Sequence, residues 1–522
     1  MNTATNALPT ALTERFVLIA AVLASALAFI DQTALDIASP ALQADLNMSG
    51  TQLLWVANAY ALFLASLLLV GGALGDLYGR RRIFMIGIAT FSGFSILCGF
   101  APNAEILIIG RALQGIGGAL MVPGSLAILS STFPEERRGG AIGVWSAFST
   151  LTTLLGPVVG GWLAEQGLWR AVFFVNIPLG AIAFYLLSRV SSGDERSGGK
   201  LDWWGAFTIT ASLALFTLGT TVIQDSTQQI PALIMIAASV IGLIAFIRIE
   251  ATVAYPLIPL KLFRNRTFAG TTLFTLLLYG AIRVAPYFQS LNLQQIQGYP
   301  ANIAGFTMLP FGILMIALST QTHRLINAFG ARTLLTVGPL LVAAGMILLI
   351  LPRQTTGPDS YWLTYFPTGI LFGLGMGLVV APLTTSVMNS APRENSGAAS
   401  GINNAVSRVG AVIALTVIGG IGVTFFQGNL NSRAETLPLT APQREELAVN
   451  SAKLGATTAP EGLDQTAAGE VDTAIRGAFL DAHALVQLIG AILCVISAGV
   501  AQVTVRAGKQ KGEQVSPPVP LE

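Results

Sequence analysis

Fourteen mostly apolar stretches follow one another along the chain, at roughly 16–37, 53–72, 83–101, 105–129, 141–164, 171–187, 204–223, 231–247, 267–288, 304–322, 334–351, 362–388, 401–425 and 479–505. Each approaches the ~20 residues that an α-helix needs to cross the ~30 Å hydrocarbon layer of a bilayer. A soluble helical core would instead mix such runs with many amphipathic helices. The pattern predicts an all-α integral membrane protein.

The polar breaks group the runs as six, two and six. A short cytoplasmic segment, 1–15, precedes a six-helix bundle over 16–190. A linker over 191–266 opens with a polar stretch, holds two extra helices and ends in an amphipathic stretch. A second six-helix bundle fills 267–505, and the Pro-rich tail 506–522 reads as disordered. Before the last run lies 427–478, polar and acid-rich with Pro438, Pro442 and Pro460, which reads as an external loop, partly helical or disordered. The first run is too long for a signal core and lacks a small-residue cleavage pattern, so it reads as a retained span.

Composition agrees: 53% of residues are hydrophobic and 10% charged, against about 25% charged in a soluble domain. A net charge of +2 argues against a nucleic-acid partner. Cys98 and Cys494 sit inside apolar runs as packing residues, and two histidines do not build a metal site, so no cofactor is expected. The arginines are uneven. Alternate loops hold Arg80, Arg81, Arg82, Arg137, Arg138, Arg189, Arg264, Arg266, Arg324, Arg332 and Arg393, whereas the short loops between them hold Arg170 and Arg353. The positive-inside rule places the arginine-rich loops and both termini in the cytoplasm.

Four stretches carry candidate chemistry. Gly72-Ala-Leu-Gly-Asp76-Leu-Tyr-Gly79-Arg80-Arg81-Arg82 joins the second and third runs. Arg111-Ala-Leu-Gln114-Gly115-Ile-Gly117-Gly118 puts an arginine inside the fourth, where charge is expensive and marks function. Gly143, then Gly156-Pro157-Val-Val-Gly160-Gly161, offers small residues for close helix approach and a bend in the fifth. Asp31-Gln-Thr33-Ala-Leu-Asp36-Ile-Ala-Ser-Pro40 ends the first. Together they resemble the motifs of the major facilitator superfamily, and most of all its branch of fourteen-helix drug:proton antiporters of the multidrug efflux type. Trp55-Val-Ala-Asn58-Ala-Tyr60, Asn176-Ile-Pro178-Leu-Gly180, Asp202-Trp-Trp-Gly205 and Gly397-Ala-Ala-Ser400-Gly401 extend the likeness over nearly the whole membrane region. Thr152 stands where the antiporter signature has glycine, and Asp36 where the branch has asparagine.

The resemblance implies two six-helix bundles that rock about a midplane site. It assigns Gly72, Asp76, Gly79, Arg80, Arg81 and Arg82 to a cytoplasmic latch, and Arg111 to proton coupling. It implies export by exchange through the motif Gly143, Thr152, Gly156, Pro157, Gly160 and Gly161. A faded echo of the latch, Asn327-Ala-Phe-Gly330-Ala-Arg332, fits the internal repeat of secondary transporters.

At 1.5 Å per residue, Asp31 lies roughly 22 Å from the start of its span, and Arg111 about 9 Å from the outer end of its own, at similar depth. A carboxylate beside an arginine stays ionised, and one left desolvated without it takes up a proton. Asp31 is therefore the expected proton carrier and Arg111 its switchable partner. Asp36 reads as a helix-end residue near the outer interface. Thr33, Gln114, Arg283, Met308, Phe311 and Pro382 are the candidate substrate cavity, the soft and aromatic members suiting promiscuous apolar binding. Arg283 has a second reading, snorkelling to the external headgroups. With Arg408 in the thirteenth span, the membrane acids Asp31, Asp36 and Glu105 face as many arginines, a balance that suits neutral, zwitterionic or anionic substrates better than dications.

The expected function is a proton-coupled secondary exporter of small amphipathic or toxic organic molecules, a monomer in the inner (plasma) membrane powered by the proton gradient. A periplasmic adaptor and an outer-membrane channel are candidate partners. A dedicated metabolite or lipid exporter of the same fold is one alternative. An uncoupled facilitator is another, though it needs no titratable membrane acid. An enzyme would need paired carboxylates, a His/Cys cluster or a nucleophile with its base; His323 and His483 fall near opposite faces of the membrane, and no such constellation appears.

Overall fold

Inside hydrocarbon each backbone N–H and C=O must be bonded within its own segment, so long apolar runs become helices. The computed structural model describes residues 10–190, 202–222, 229–319, 321–355, 357–391 and 396–505. The polar stretch 191–200, the tail 506–522 and most of the segment 1–15 lie outside these residues. The first group of helices is α1 (Thr10–Asp45), α2 (Gly50–Tyr78), α3 (Arg80–Gly99), α4 (Ala104–Thr132), α5 (Glu135–Glu165), α6 (Ala171–Phe174) and α7 (Asn176–Ser188). A hairpin of α8 (Trp203–Val222) and α9 (Gln229–Thr252) packs outside, with α8 against α2 and α17 (Ser396–Ala434). The second group is α10 (Arg266–Leu291), α11 (Ala301–Phe306), α12 (Leu309–Ser319), α13 (Thr322–Phe329), α14 (Ala331–Ile350), α15 (Tyr361–Thr364), α16 (Phe366–Asn389), α17, α18 (Ala441–Asn450) and α19 (Gln465–Thr504).

Among the described residues, twelve helical stretches are long and apolar enough to cross a membrane. Two of them are broken helices: α6 with α7, and α11 with α12. The remaining two expected runs correspond to α5 and α8, helices of 31 and 20 residues. Several elements outrun their apolar stretch. α1 continues to Asp45, so Asp36 is not at a helix end. Most of 427–478 is ordered: α17 extends to Ala434, α18 opens on a capping box of Thr440 and Gln443, and α19 begins at Gln465 with Asp464 as its cap. Polar sequence is no bar to a helix once it has left the hydrocarbon.

The latch loop and its echo share one backbone conformation. Gly79 (φ 100°) ends α2 and opens α3, and Gly330 (φ 79°) ends α13 and opens α14. Both lie in the left-handed region that glycine enters without steric cost. Arg81 then donates from Nε to the Leu187 carbonyl at 2.8 Å and from Nη2 to the Ser188 carbonyl at 3.3 Å, closing the end of α7.

Three large cores explain how the groups meet. One lies within the first group around Val17, Tyr60, Phe84 and Phe91. Another lies within the second group around Phe268, Phe274, Leu335 and Val379. The third is shared: Leu35, Met48 and Leu53 of the first group join Phe288, Phe426 and Phe479 of the second. It sits toward the arginine-poor end and fuses the groups there. The turn Ser451–Ala456 lies across that end, since Gln43 Nε2 donates to the Lys453 carbonyl at 2.9 Å and Gln295 Nε2 to Gln43 Oε1 at 2.7 Å.

Adjacent glycines on α2 test the close-packing claim. A Cβ on Gly71 would run into the Ala119 carbonyl of α4, whereas one on Gly72 meets nothing nearer than Pro123 at 3.8 Å. Gly71→Ala is expected to destabilise by about 1–3 kcal/mol through overpacking, and Gly72→Ala far less. Melting midpoints of the purified variants in detergent check the difference.

Candidate functional site

Asp31 is on α1 and Arg111 on α4, with relative exposures of 0% and 1%. Their side chains form an ion pair between Arg111 Nη1 and Asp31 Oδ2. Around it, Asn176 Nδ2 donates to Asp31 Oδ1 at 3.0 Å and Gln114 Nε2 donates to the same oxygen at 3.4 Å. Arg111 Nη1 also donates to Gln114 Oε1 at 2.9 Å, and Nε to the Val56 carbonyl at 3.4 Å. Ser95 Oγ accepts from Gln114 at 2.7 Å and from Asn176 at 3.3 Å. The guanidinium lies over the Tyr60 ring, 4.5 Å from its centroid, adding a cation–π contact. Five helices of one group, α1, α2, α3, α4 and α7, thus contribute to the network around a single buried charge pair.

A second ion pair crosses between the groups. Arg283 of α10 reaches Asp36 of α1 in a fork, with Nη1 on Oδ2 and Nη2 on Oδ1. Ser290 Oγ donates to the Asp36 carbonyl at 3.1 Å, and Gln294 Nε2 to the Ile37 carbonyl at 2.9 Å. The pair lines a cavity of about 230 Å³ between the groups, shared with Thr33, Met308, Phe311 and Phe372. Arg283 is therefore a cavity residue and does not snorkel to headgroups. Of the expected cavity residues, Thr33, Arg283, Met308 and Phe311 are on its wall. Gln114 is not: it is fully buried beside Arg111, because the face of α4 that carries it turns into the first group. Pro382 is buried in the packing of α16.

The α5 motif has a plain mechanical basis. A Cβ on Gly156 would strike Thr33, one on Gly160 the Ala34 carbonyl of α1, and one on Gly161 the Ala301 carbonyl of α11. Two glycines therefore seat α5 on α1, and the third lets it touch the other group. Glu165 Oε2 accepts from the Ala301 N–H at 3.0 Å at the same crossing. Pro157 lines the cavity, Thr152 donates its hydroxyl to the Ser149 carbonyl at 2.9 Å, and Gly143 lies on the same helix. In the latch motif, Gly72 faces Pro123, Arg80 Nη1 donates to the Ala127 carbonyl at 3.5 Å and Arg82 is exposed. The Asp76 side chain lies outside the described residues.

Sequence inspection did not single out Ser95, which binds two side chains of the buried network, or Gln289. The latter lines the cavity and accepts from or donates to His483 Nε2 at 2.9 Å, while Gln487 meets the same imidazole nitrogen at 3.1 Å. Amide and hydroxyl side chains at membrane depth were the available signal.

Residues 21–415 match the profile of the family described as Major Facilitator Superfamily. The multidrug resistance protein Stp of Mycobacterium tuberculosis (strain CDC 1551 / Oshkosh) is 31% identical over 443 residues, covering 84% of this chain and 81% of the relative. The tetracenomycin C resistance and export protein of Streptomyces glaucescens is 30% identical over 501 residues, covering 94% and 91%. Among solved structures, a bacterial homolog of the human lysosomal transporter Spinster, inward-facing and unoccupied, aligns with a TM-score of 0.62 at 17% identity, covering 94% of this chain and 97% of that one. This last likeness is one of fold.

Breaking the buried pair from one side leaves a bare charge in the protein interior. Arg111→Ala is expected to cost about 3–5 kcal/mol, and the neutral double variant Asp31→Asn/Arg111→Gln to recover most of that loss. Thermal unfolding of the three proteins in one detergent measures it.

Proposed function

The chain belongs to the major facilitator superfamily, and we propose that it is a proton-coupled exporter of small amphipathic organic molecules that works by alternating access. The observation that carries this reading is the fully buried Asp31–Arg111 pair, placed within one helix group beside a cavity that both groups wall. Relatives described as multidrug resistance and antibiotic export proteins support the direction and the kind of cargo. The arginine-rich end faces the cytoplasm by the positive-inside rule. On this reading the fused, arginine-poor end faces outward.

Arg111, Asn176 and Gln114 all donate to the Asp31 side chain. A shift of α4 on α1 that withdraws Arg111 would strand that charge in a dry site. Binding a proton removes the penalty. The proton enters when the site opens outward and leaves when the arginine returns. Each charge that crosses 100 mV supplies about 2.3 kcal/mol, to which a pH gradient adds. Cargo occupies the apolar cavity and leaves as the halves rock apart at the outer end. The chain acts as a monomer on cargo that it does not alter covalently.

Asp31→Asn is expected to fold, yet to lose substrate-evoked proton movement by about 100-fold or more, the scale on which removal of a proton-transfer group acts. Purified protein in vesicles with an internal pH dye reads this. Undiminished exchange by the asparagine variant would show that the proton travels elsewhere.

A further inference from the structure

Among the described residues, ion pairing within the membrane leaves one cation over. Asp31 holds Arg111 and Asp36 holds Arg283. Arg408, in α17, has no carboxylate and no hydrogen-bond partner among the described residues. An intramembrane cation without a counter-ion is costly and normally faces water or a ligand.

Its height follows from the register of α17 on α2. Gly419 meets Leu54, Thr416 Oγ1 accepts from Asn58 at 3.0 Å, and Gly401 meets Leu69. Arg408 lies about midway between the last two registers, near the middle of α2, with Tyr60 within electrostatic reach. Its face follows from the helical period. Val409 and Val412 turn toward α2 and Leu213 of α8, on the outer flank. Asn404, Ser407 and Arg408 form a polar stripe beside that face, Arg408 standing between Asn404 at i−4 and Val412 at i+4, with Asn404 exposed and Arg408 half-buried. Such a polar stripe suits the gap between the groups and not lipid.

The cavity lies one step further along. α10 and α17 run parallel and cross at Gly280 and Gly410. Arg408 sits two residues before that crossing, and the cavity residues Ile282 and Arg283 two and three residues beyond it. The separation along the axes is roughly 7 Å at 1.5 Å per residue, about the length of a fused two-ring aromatic body.

Resting on the exporter reading above, we infer that Arg408 binds the anionic group of the cargo, whose apolar body extends into the cavity below the Asp36–Arg283 pair. Arg283 is already neutralised by its forked partner, so Arg408 is the cation free to accept a carboxylate or sulfonate. The preferred cargo is an amphipathic anion.

A matched probe series tests this: naphthoate, naphthylmethanol and naphthylmethylammonium, titrated calorimetrically against full-length protein in lipid nanodiscs. The unmodified protein is expected to bind naphthoate more tightly than the alcohol and the ammonium least. Arg408→Gln should weaken naphthoate about tenfold or more, the scale of a lost hydrogen bond to a charged group, and leave the alcohol unchanged. Arg408→Lys should restore most of the anion preference. The inference fails if the unmodified protein shows no preference for naphthoate. It fails equally if Arg408→Gln leaves naphthoate untouched, or weakens all three probes alike, as a packing role would. Proton movement evoked by the alcohol without anion preference would sink this site and leave the exporter standing; anion binding that never moves protons would do the reverse.

Discussion

A charge inside hydrocarbon is costly unless it lies beside its opposite, and this requirement pairs two acids with two arginines in the interior. Asp31 and Arg111 meet within one helix group, whereas Asp36 and Arg283 meet across two. The distinction is mechanical. A pair within a group can persist or break whatever the two groups do. A pair across groups cannot survive their separation at that end. The second therefore acts as a clasp between the groups, and the first does not.

The clasp does not act alone. A shared apolar core, the contact of Gly161 with Ala301, the Glu165 contact to the same residue and the turn Ser451–Ala456 all lie at the arginine-poor end. Opening there means undoing an interface that, besides the Asp36–Arg283 pair, holds side chain to backbone hydrogen bonds such as Ser290 on Asp36 and Gln294 on Ile37. Such bonds exchange readily for water once the surface parts, because each group then finds new partners. The apolar area is the larger barrier to opening at that end.

Much of the membrane architecture is legible in the linear chain. The bilayer sets one length for every crossing, and arginines gather on one side. What composition hides is where a helix breaks inside an apolar run: Val175 between α6 and α7, Thr307–Met308 between α11 and α12, and Tyr365 between α15 and α16. These breaks leave hydropathy unchanged, and the mark they do carry is a proline two or three residues on, Pro178, Pro310 and Pro367, whose missing N–H and ring interrupt the bond to residue i−4. Polarity misled in the opposite direction at 427–478, which is largely helical because it is packed on the protein surface. Asp36 was misjudged for a related reason: the helix that bears it outlasts the apolar run by about two turns. Gln114 and Pro382 were misplaced because a motif gives a position along a helix and not the neighbour its face meets.

The chain by itself determined the class of molecule, the number and order of its apolar runs, the uneven placing of its arginines, and the presence of Asp31 and Arg111 at one depth. Those properties depend on summed hydropathy and on a rise of 1.5 Å per residue, which are local. Tertiary structure alone decided that Asp36 belongs to Arg283, that Asn176 and Ser95 complete the buried network, and that Arg408 meets no carboxylate among the described residues. Pairing in a low-dielectric interior depends on separations of a few ångströms between residues as many as 247 positions apart, and only packed helices set those separations.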